Sequence, residues 1–313
     1  MVALPPASDP SFEPLLVAVA VAAVGSVTAL LRFGRTSHRR LRWVSLSVAT
    51  VLLAGIWFTP LNTVGQHYLL SGHLLQITIL MGAVPPFLLL ALPRQPSVHP
   101  PRWVGRVLRV VVHPLTAIIA VNAAFFGWHL AAPYQAAMQN DLVYAAEQTS
   151  LLVTSLMFWW PIVSPFSPSV RSMSPLGKIG YIVLATIPQT FGGLVVALAH
   201  HPLYPLYAFA PRLMGLDALT DQQIAGASIA LVSKVALFTA FTVIFVGMLS
   251  ASASDSEDGG GGGGGGGPEV DRPRPRPSGT PRWLEHLETG RTIPEPAPPA
   301  RLRERAGSGP RPG

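Results

Sequence analysis

Apolar residues run almost unbroken through seven stretches of this chain, and polar residues gather between them. The stretches cover roughly residues 14–31, 41–58, 73–92, 111–130, 142–163, 179–200 and 223–250. Each is close to the length of about 20 mostly apolar residues that a helix needs to cross a bilayer. Between Pro14 and Ser250 only Asp141, Glu147, Asp217 and Asp221 are acidic. The pattern predicts an all-α, multi-pass membrane bundle of seven transmembrane helices. The first stretch does not read as a signal peptide, because Asp9 and Glu13 stand where a basic leader would be.

The basic residues orient the bundle. Arg32, Arg35, Arg39, Arg40 and Arg42 follow the first stretch; Arg94, Arg102, Arg106 and Arg109 follow the third; Arg171 and Lys178 follow the fifth. The connections on the other side carry only Arg212. Under the positive-inside rule this places the N-terminus outside and the C-terminus in the cytoplasm. The predicted organisation is an extracytoplasmic segment over residues 1–13, a transmembrane domain over 14–250 and a tail over 251–313. Nine consecutive glycines, Gly259–Gly267, and a Pro/Arg-rich sequence fill the tail. It cannot bury enough apolar surface to offset its ordering entropy and is read as disordered.

Composition changes the picture little. Hydrophobic residues make up 49% and charged residues 12%, against about 25% charged in soluble domains. The net charge of +7 resides in short loops and the tail, which points to membrane lipids and not to nucleic acid. Cysteine is absent, so thiolate ligands and disulfides are excluded. No nucleophile–base pair, phosphate loop or redox-cofactor motif is visible, and no catalysis is expected.

With this topology most polar side chains fall toward the outer face. His67 and His73 lie at the start of the third stretch, His129 at the end of the fourth, and Glu147 one to two turns into the fifth. His200 and His201 end the sixth, while Asp221 and Gln222 precede the seventh. A carboxylate within the membrane, such as Glu147, costs about 2.5–3.5 kcal/mol on insertion scales unless it is paired. It is read as supporting His129, with a hydrogen bond to Gln148 or Gln76 as the structural alternative. Lys234 is read as its counter-ion. Asp221 fits equally well as a helix cap. Pro85-Pro86 should break the third helix, Trp159-Trp160-Pro161 should anchor the fifth at the interface, and Gly192-Gly193 should permit close helix contact.

Four segments resemble the CtaG family of cytochrome c oxidase assembly factors. They are YLLSGHLLQITILMGAVPPFLLLALP (68–93), GWHLAAPYQAAMQNDLVYAAEQTSLLVTSLMFWWPIV (127–163), IPQTFGGLVVALAHHPLYPLYA (187–208) and LTDQQIAG (219–226). The resemblance implies a bacterial cytoplasmic-membrane protein that helps cytochrome c oxidase acquire copper on the extracytoplasmic side. Its implied partners are oxidase subunits and another copper carrier. The implied metal ligands are His73 and His129, with His67, His200, His201, Met138 and Met214 as accessory candidates and Glu147, Gln76, Asp221 and Gln222 as supporting polar groups. Imidazole suits copper, and thioether suits Cu(I). The chain departs from the family pattern at Ile77 and Gln148, where histidines are expected. A metal-independent scaffold of the same family therefore stands as the alternative. A small transporter or proton-conducting bundle ranks last, because no internal repeat is evident.

Overall fold

The computed structural model describes residues 4–33, 38–93, 101–163 and 173–259. Among these residues every regular element is a helix. In order they are α1 (Pro14–Phe33), α2 (Arg39–Trp57), α3 (Pro60–His67), α4 (Leu70–Gly82), α5 (Val84–Ala91), α6 (Arg102–Val111), α7 (Pro114–Trp128), α8 (Ala131–Gln139), α9 (Asp141–Val163), α10 (Pro175–Leu198), α11 (Pro205–Ala208) and α12 (Ala218–Gly259). Pro60, Pro114, Pro175 and Pro205 each open a helix, where the missing N–H costs nothing and the fixed φ is already helical.

All seven predicted stretches fold as helix, with four refinements. The third stretch divides into α4 and α5, and α6 precedes the fourth at a bend of 65° to α7. Short helices α3, α8 and α11 occupy connections in which no element was predicted. The last helix runs on to Gly259, and the remainder of the tail lies outside the described residues. Four spans are long and apolar enough to cross a membrane by length and composition, or five if α6 and α7 count as one. They are residues 14–32, 39–57, 70–91 and 175–198. α9 is not among them: it carries Tyr144, Glu147, Gln148 and Ser155, all of which it buries inside the bundle.

The span formed by α4 and α5 is the centre. Its residues are 56% buried, against 17% for α1 and 22% for α10, and α4 packs against α2, α3, α9 and α12. The outward positions stay apolar, among them Val51, Ile119, Val153, Phe191 and Phe238, as required of a surface facing hydrocarbon.

The break in this central span has a specific repair. Pro85 and Pro86 lack the N–H groups that the carbonyls of Met81 and Gly82 would accept in a continuous helix. Trp159 Nε1 donates to the Met81 carbonyl at 3.0 Å and so satisfies the first of these orphans. Trp159 is only 2% exposed, which corrects its reading as an interfacial anchor. At the far end of α5, Arg42 of α2 donates to the carbonyls of Leu90 and Leu92, acting as a cationic C-terminal cap.

Helices α10 and α12 meet backbone to backbone through Gly193 and Gly226. A Cβ on Gly226 would lie 2.4 Å from Ala197 N and 2.6 Å from Gly193 O, positions no side-chain rotation can relieve. The expected close contact of Gly193 is therefore present, and its partner is α12. Gly226→Val is expected to lower the thermal midpoint of the purified protein in detergent, consistent with overpacking costs of about 1–3 kcal/mol. Gly247→Val, where nothing lies within 4 Å, is the control and should leave the midpoint unchanged.

Candidate metal site

The polar interior is assembled from one face of α9 and one face of α4. Tyr144, Glu147, Gln148, Leu151 and Ser155 follow helical spacing on α9, and His73, Gln76, Ile77 and Leu80 do so on α4. All nine are buried. At the meeting of the two faces His73 Nε2 stands 3.4 Å from Glu147 Oε1, with both side chains at 0% exposure. His129, the residue after α7, faces the same interior and lies in electrostatic range of Glu147 and His73. The Tyr134 ring packs edge-on to His73 at 5.2 Å and lies 6.3 Å from His129.

The hydrogen bonding of His129 fixes its chemistry. Its Nδ1 is 2.6 Å from the Phe125 carbonyl. A carbonyl only accepts, so Nδ1 carries the proton and the Nε2 lone pair remains free. This is the tautomer a metal-binding imidazole uses, with the second nitrogen held by a backbone oxygen. The ring is also stacked on Phe125 at 4.3 Å.

These three side chains hold an unusual share of unmet polarity. Eight buried side-chain N or O atoms among the described residues lack a hydrogen-bond partner, and five belong here: both ring nitrogens of His73, both carboxylate oxygens of Glu147 and Nε2 of His129. Unpaired buried polar groups are costly, and a cluster of them requires an explanation. A bound cation supplies one for four of the five, because the Glu147 oxygens, His129 Nε2 and one His73 ring nitrogen can each present a lone pair, while the other His73 nitrogen keeps its proton. As placed, however, no three His, Cys, Asp or Glu side chains among the described residues are grouped closely enough to hold a metal ion. The donor set fits copper chemically, and His129 must approach the His73–Glu147 pair to complete it.

The other predicted residues divide sharply. Gln76 Nε2 donates to the Ile56 carbonyl and Asn62 Oδ1, each at 2.7 Å, and the Tyr144 hydroxyl joins this network by donating to Asn62. Gln148 Oε1 accepts from Trp57 Nε1 at 3.0 Å. Neither glutamine bonds Glu147: both carboxylate oxygens lack a hydrogen-bond donor, and the His73 ring stands 3.4 Å away. Gln222 bonds Leu203 N and the carbonyls of Val196 and His201, fastening the connection after α10. Met138 is buried against the Tyr207 hydroxyl, whereas Met214 is 79% exposed. His200 and His201 are exposed. His67 is half-buried beside Asp141; burial lowers its pKa and the aspartate acts against that shift.

Asp221 has a role the sequence did not reveal. It lies in the first turn of α12, yet its carboxylate accepts from Leu70 N at 2.7 Å, Ser71 N at 3.2 Å and the Ser71 hydroxyl. It therefore caps α4, the helix that begins three residues before His73. The start of α12 is capped instead by Asp217, which accepts chiefly from the Thr220 hydroxyl, then from the N–H groups of Thr220 and Leu219. These bonds hold the Asp217 pKa below its ordinary value. Close approach of α3 completes the placement: a Cβ on Gly65 would sit 2.9 Å from the His73 backbone.

Tyr134, Tyr144, Tyr204 and Tyr207 were not singled out from the sequence. Tyr134 shares a 2.8 Å hydrogen bond with Tyr207, which donates to the Gly65 carbonyl, and Tyr204 donates to the His129 carbonyl at 3.0 Å. Tyr144 had a usable signal, lying one helical turn before Glu147. The two buried acids should respond differently to substitution. Asp221→Ala is expected to destabilise the metal-free protein by about 1–3 kcal/mol, the cost of uncapping buried donors. Glu147→Gln should be neutral or stabilising, because it replaces a buried carboxylate that has no hydrogen-bond donor by an uncharged amide. Thermal unfolding in detergent without added metal checks both.

No curated protein and no solved structure matches the chain. The sequence model of one family, described as the cytochrome c oxidase caa3 assembly factor, matches residues 23–251. That match takes in the elements that carry His73, His129 and Glu147, and the chain belongs to the caa3-type CtaG family of cytochrome c oxidase assembly factors.

Proposed function

We propose that this protein crosses the cytoplasmic membrane seven times, N-terminus outside, and holds copper near its extracytoplasmic face during oxidase assembly. On this reading α9 and α12 span the bilayer together with the four apolar spans and the α6–α7 pair. Two contacts support the orientation. Arg42 is bonded to the end of α5 and Lys178 to the Ile162 carbonyl near the end of α9. Both basic residues thus lie at the end of the bundle opposite the start of α4, where His73 sits.

The observation that carries the metal reading is the set of five unpartnered atoms on His73, His129 and Glu147. Copper is the cargo here, and the protein's part is to bind and shield it. Imidazole nitrogens suit copper. One carboxylate neutralises one positive charge, so Cu(I) in this dry interior leaves no net charge, whereas Cu(II) leaves one uncompensated and is disfavoured. Release to an oxidase subunit would accompany withdrawal of His129, whose position at the end of α7 makes it the most easily displaced of the three. Ile77, at 2% exposure, occupies the His73 face one turn inward and limits the site to these donors.

A second reading is favoured by the geometry of the pair itself. The His73 ring and the Glu147 carboxylate contact each other directly at 3.4 Å, which would brace a metal-independent scaffold for apo-oxidase subunits. The two readings separate in a deletion strain complemented with wild type or with His73→Ala/His129→Ala. The copper reading expects a lowered copper-to-haem ratio and activity of the terminal oxidase in the deletion strain, restored by wild type only, with both proteins equally abundant in membranes. Equal rescue by the double variant would establish the scaffold, and an unchanged deletion strain would remove the assembly role for that oxidase.

A further inference from the structure

Helix α6 has the strongest segregation of apolar and basic residues among the described helices. Arg102, Arg106 and Arg109 recur at i, i+4 and i+7, which places them within about 60° of arc at 3.6 residues per turn. The opposite side has two apolar edges. Val104, Leu108 and Val111 are partly buried toward the protein, while Trp103, Val107 and Val110 are 67%, 54% and 61% exposed. No acidic residue occurs between Leu92 and Asn140, so nothing on this segment neutralises the arginines.

Length and angle set the depth of α6. α7 has 15 residues and rises about 22 Å, short of a hydrocarbon core of about 30 Å. α6 leaves it at 65°, so its ten residues add only about 6 Å along the α7 direction. The helix therefore runs mainly across the span direction at the level where hydrocarbon gives way to headgroups. An apolar edge directed at acyl chains beside a basic stripe directed at headgroups is the composition of an interfacial helix, and tryptophan favours that level.

We propose that α6 lies in the membrane interface and that Arg106 and Arg109, both exposed, form a binding surface for anionic phospholipid headgroups. The occupant is the bilayer itself, chosen by charge complementarity and by the exposed apolar edge between the basic stripe and the protein. The helix thereby fixes the inner end of α7 against the membrane, and α7 carries His129 at its other end. The inference rests on α7 spanning the bilayer and is independent of whether copper is bound.

The absence of cysteine makes the test direct, because each introduced cysteine is the only labelling site. Full-length protein with Val107→Cys, Val110→Cys, Arg106→Cys or Ile119→Cys is spin-labelled in nanodiscs of mixed phosphatidylcholine and phosphatidylglycerol. Collision rates are then measured with oxygen and with a water-soluble nickel chelate. Labels at 107 and 110 should collide preferentially with oxygen and the label at 106 with the nickel chelate. In the Arg106→Gln/Arg109→Gln protein, enrichment of phosphatidylglycerol over phosphatidylcholine among retained lipids should fall by about fivefold per arginine at low ionic strength. Water-exposed labels at 107 and 110 would place α6 off the membrane and overturn the proposal. Labels shielded from both reagents would show a protein partner on this face, and unchanged lipid enrichment would remove the headgroup site. The Ile119 label, on the exposed side of α7, should report hydrocarbon; a watery Ile119 would refute the span on which the proposal rests.

Discussion

His73 on α4 and Glu147 on α9 meet at 3.4 Å with neither side chain exposed, and most of the bundle serves to make that meeting possible. Each group alone would be expensive at such a position. The neighbouring packing nevertheless leaves their hydrogen-bonding capacity unspent, while adjacent groups such as Gln76, Asn62 and Tyr144 are tied into a closed network. Satisfied polar groups brace the two helices; unsatisfied ones occupy the space between them. Such local inconsistency in an otherwise consistent fold is where function is to be sought.

The bracing reaches far along the chain. Asp221 of α12 caps the first residues of α4, Gly65 lets α3 pass against the His73 backbone, and Trp159 repairs the ladder that Pro85 breaks. Tyr204 and Tyr207 bring the segment after α10 onto His129 and Gly65. The site thus depends on long-range contacts between helices distant in sequence, so the order of the family-like segments makes sense as parts of one enclosure.

Much of this architecture was legible in the sequence. Uninterrupted apolar stretches fix helices through hydrocarbon length, and seven such stretches appear as helices. The proline pair located the break in the central span, although only the structure shows Trp159 closing it, because a tryptophan near a helix end reads equally as an interfacial anchor. His73, His129 and Glu147 were identified by resemblance and topology together. What stayed hidden was partner choice. Asp221 reads as a cap for its own helix and caps another, and Glu147 meets His73 across two helices distant in sequence. Sequence spacing specifies faces within a helix, whereas these pairings depend on rotation and depth between helices. The substitutions at Ile77 and Gln148 have clear consequences: Ile77 is packed in the core at 2% exposure, and Gln148 is engaged by Trp57. Neither can replace a lost ligand, so any metal chemistry falls to the three groups that remain.

The most direct test is copper-edge X-ray absorption on the purified full-length chain loaded with one equivalent of Cu(I), alongside the His129→Ala protein. Retained stoichiometric copper should show nitrogen and oxygen neighbours with imidazole scattering and no sulfur, and the variant should lose one imidazole. Copper lost on dialysis, or a sulfur-ligated spectrum unchanged by the substitution, would contradict the account and leave the His73–Glu147 pair as a structural contact.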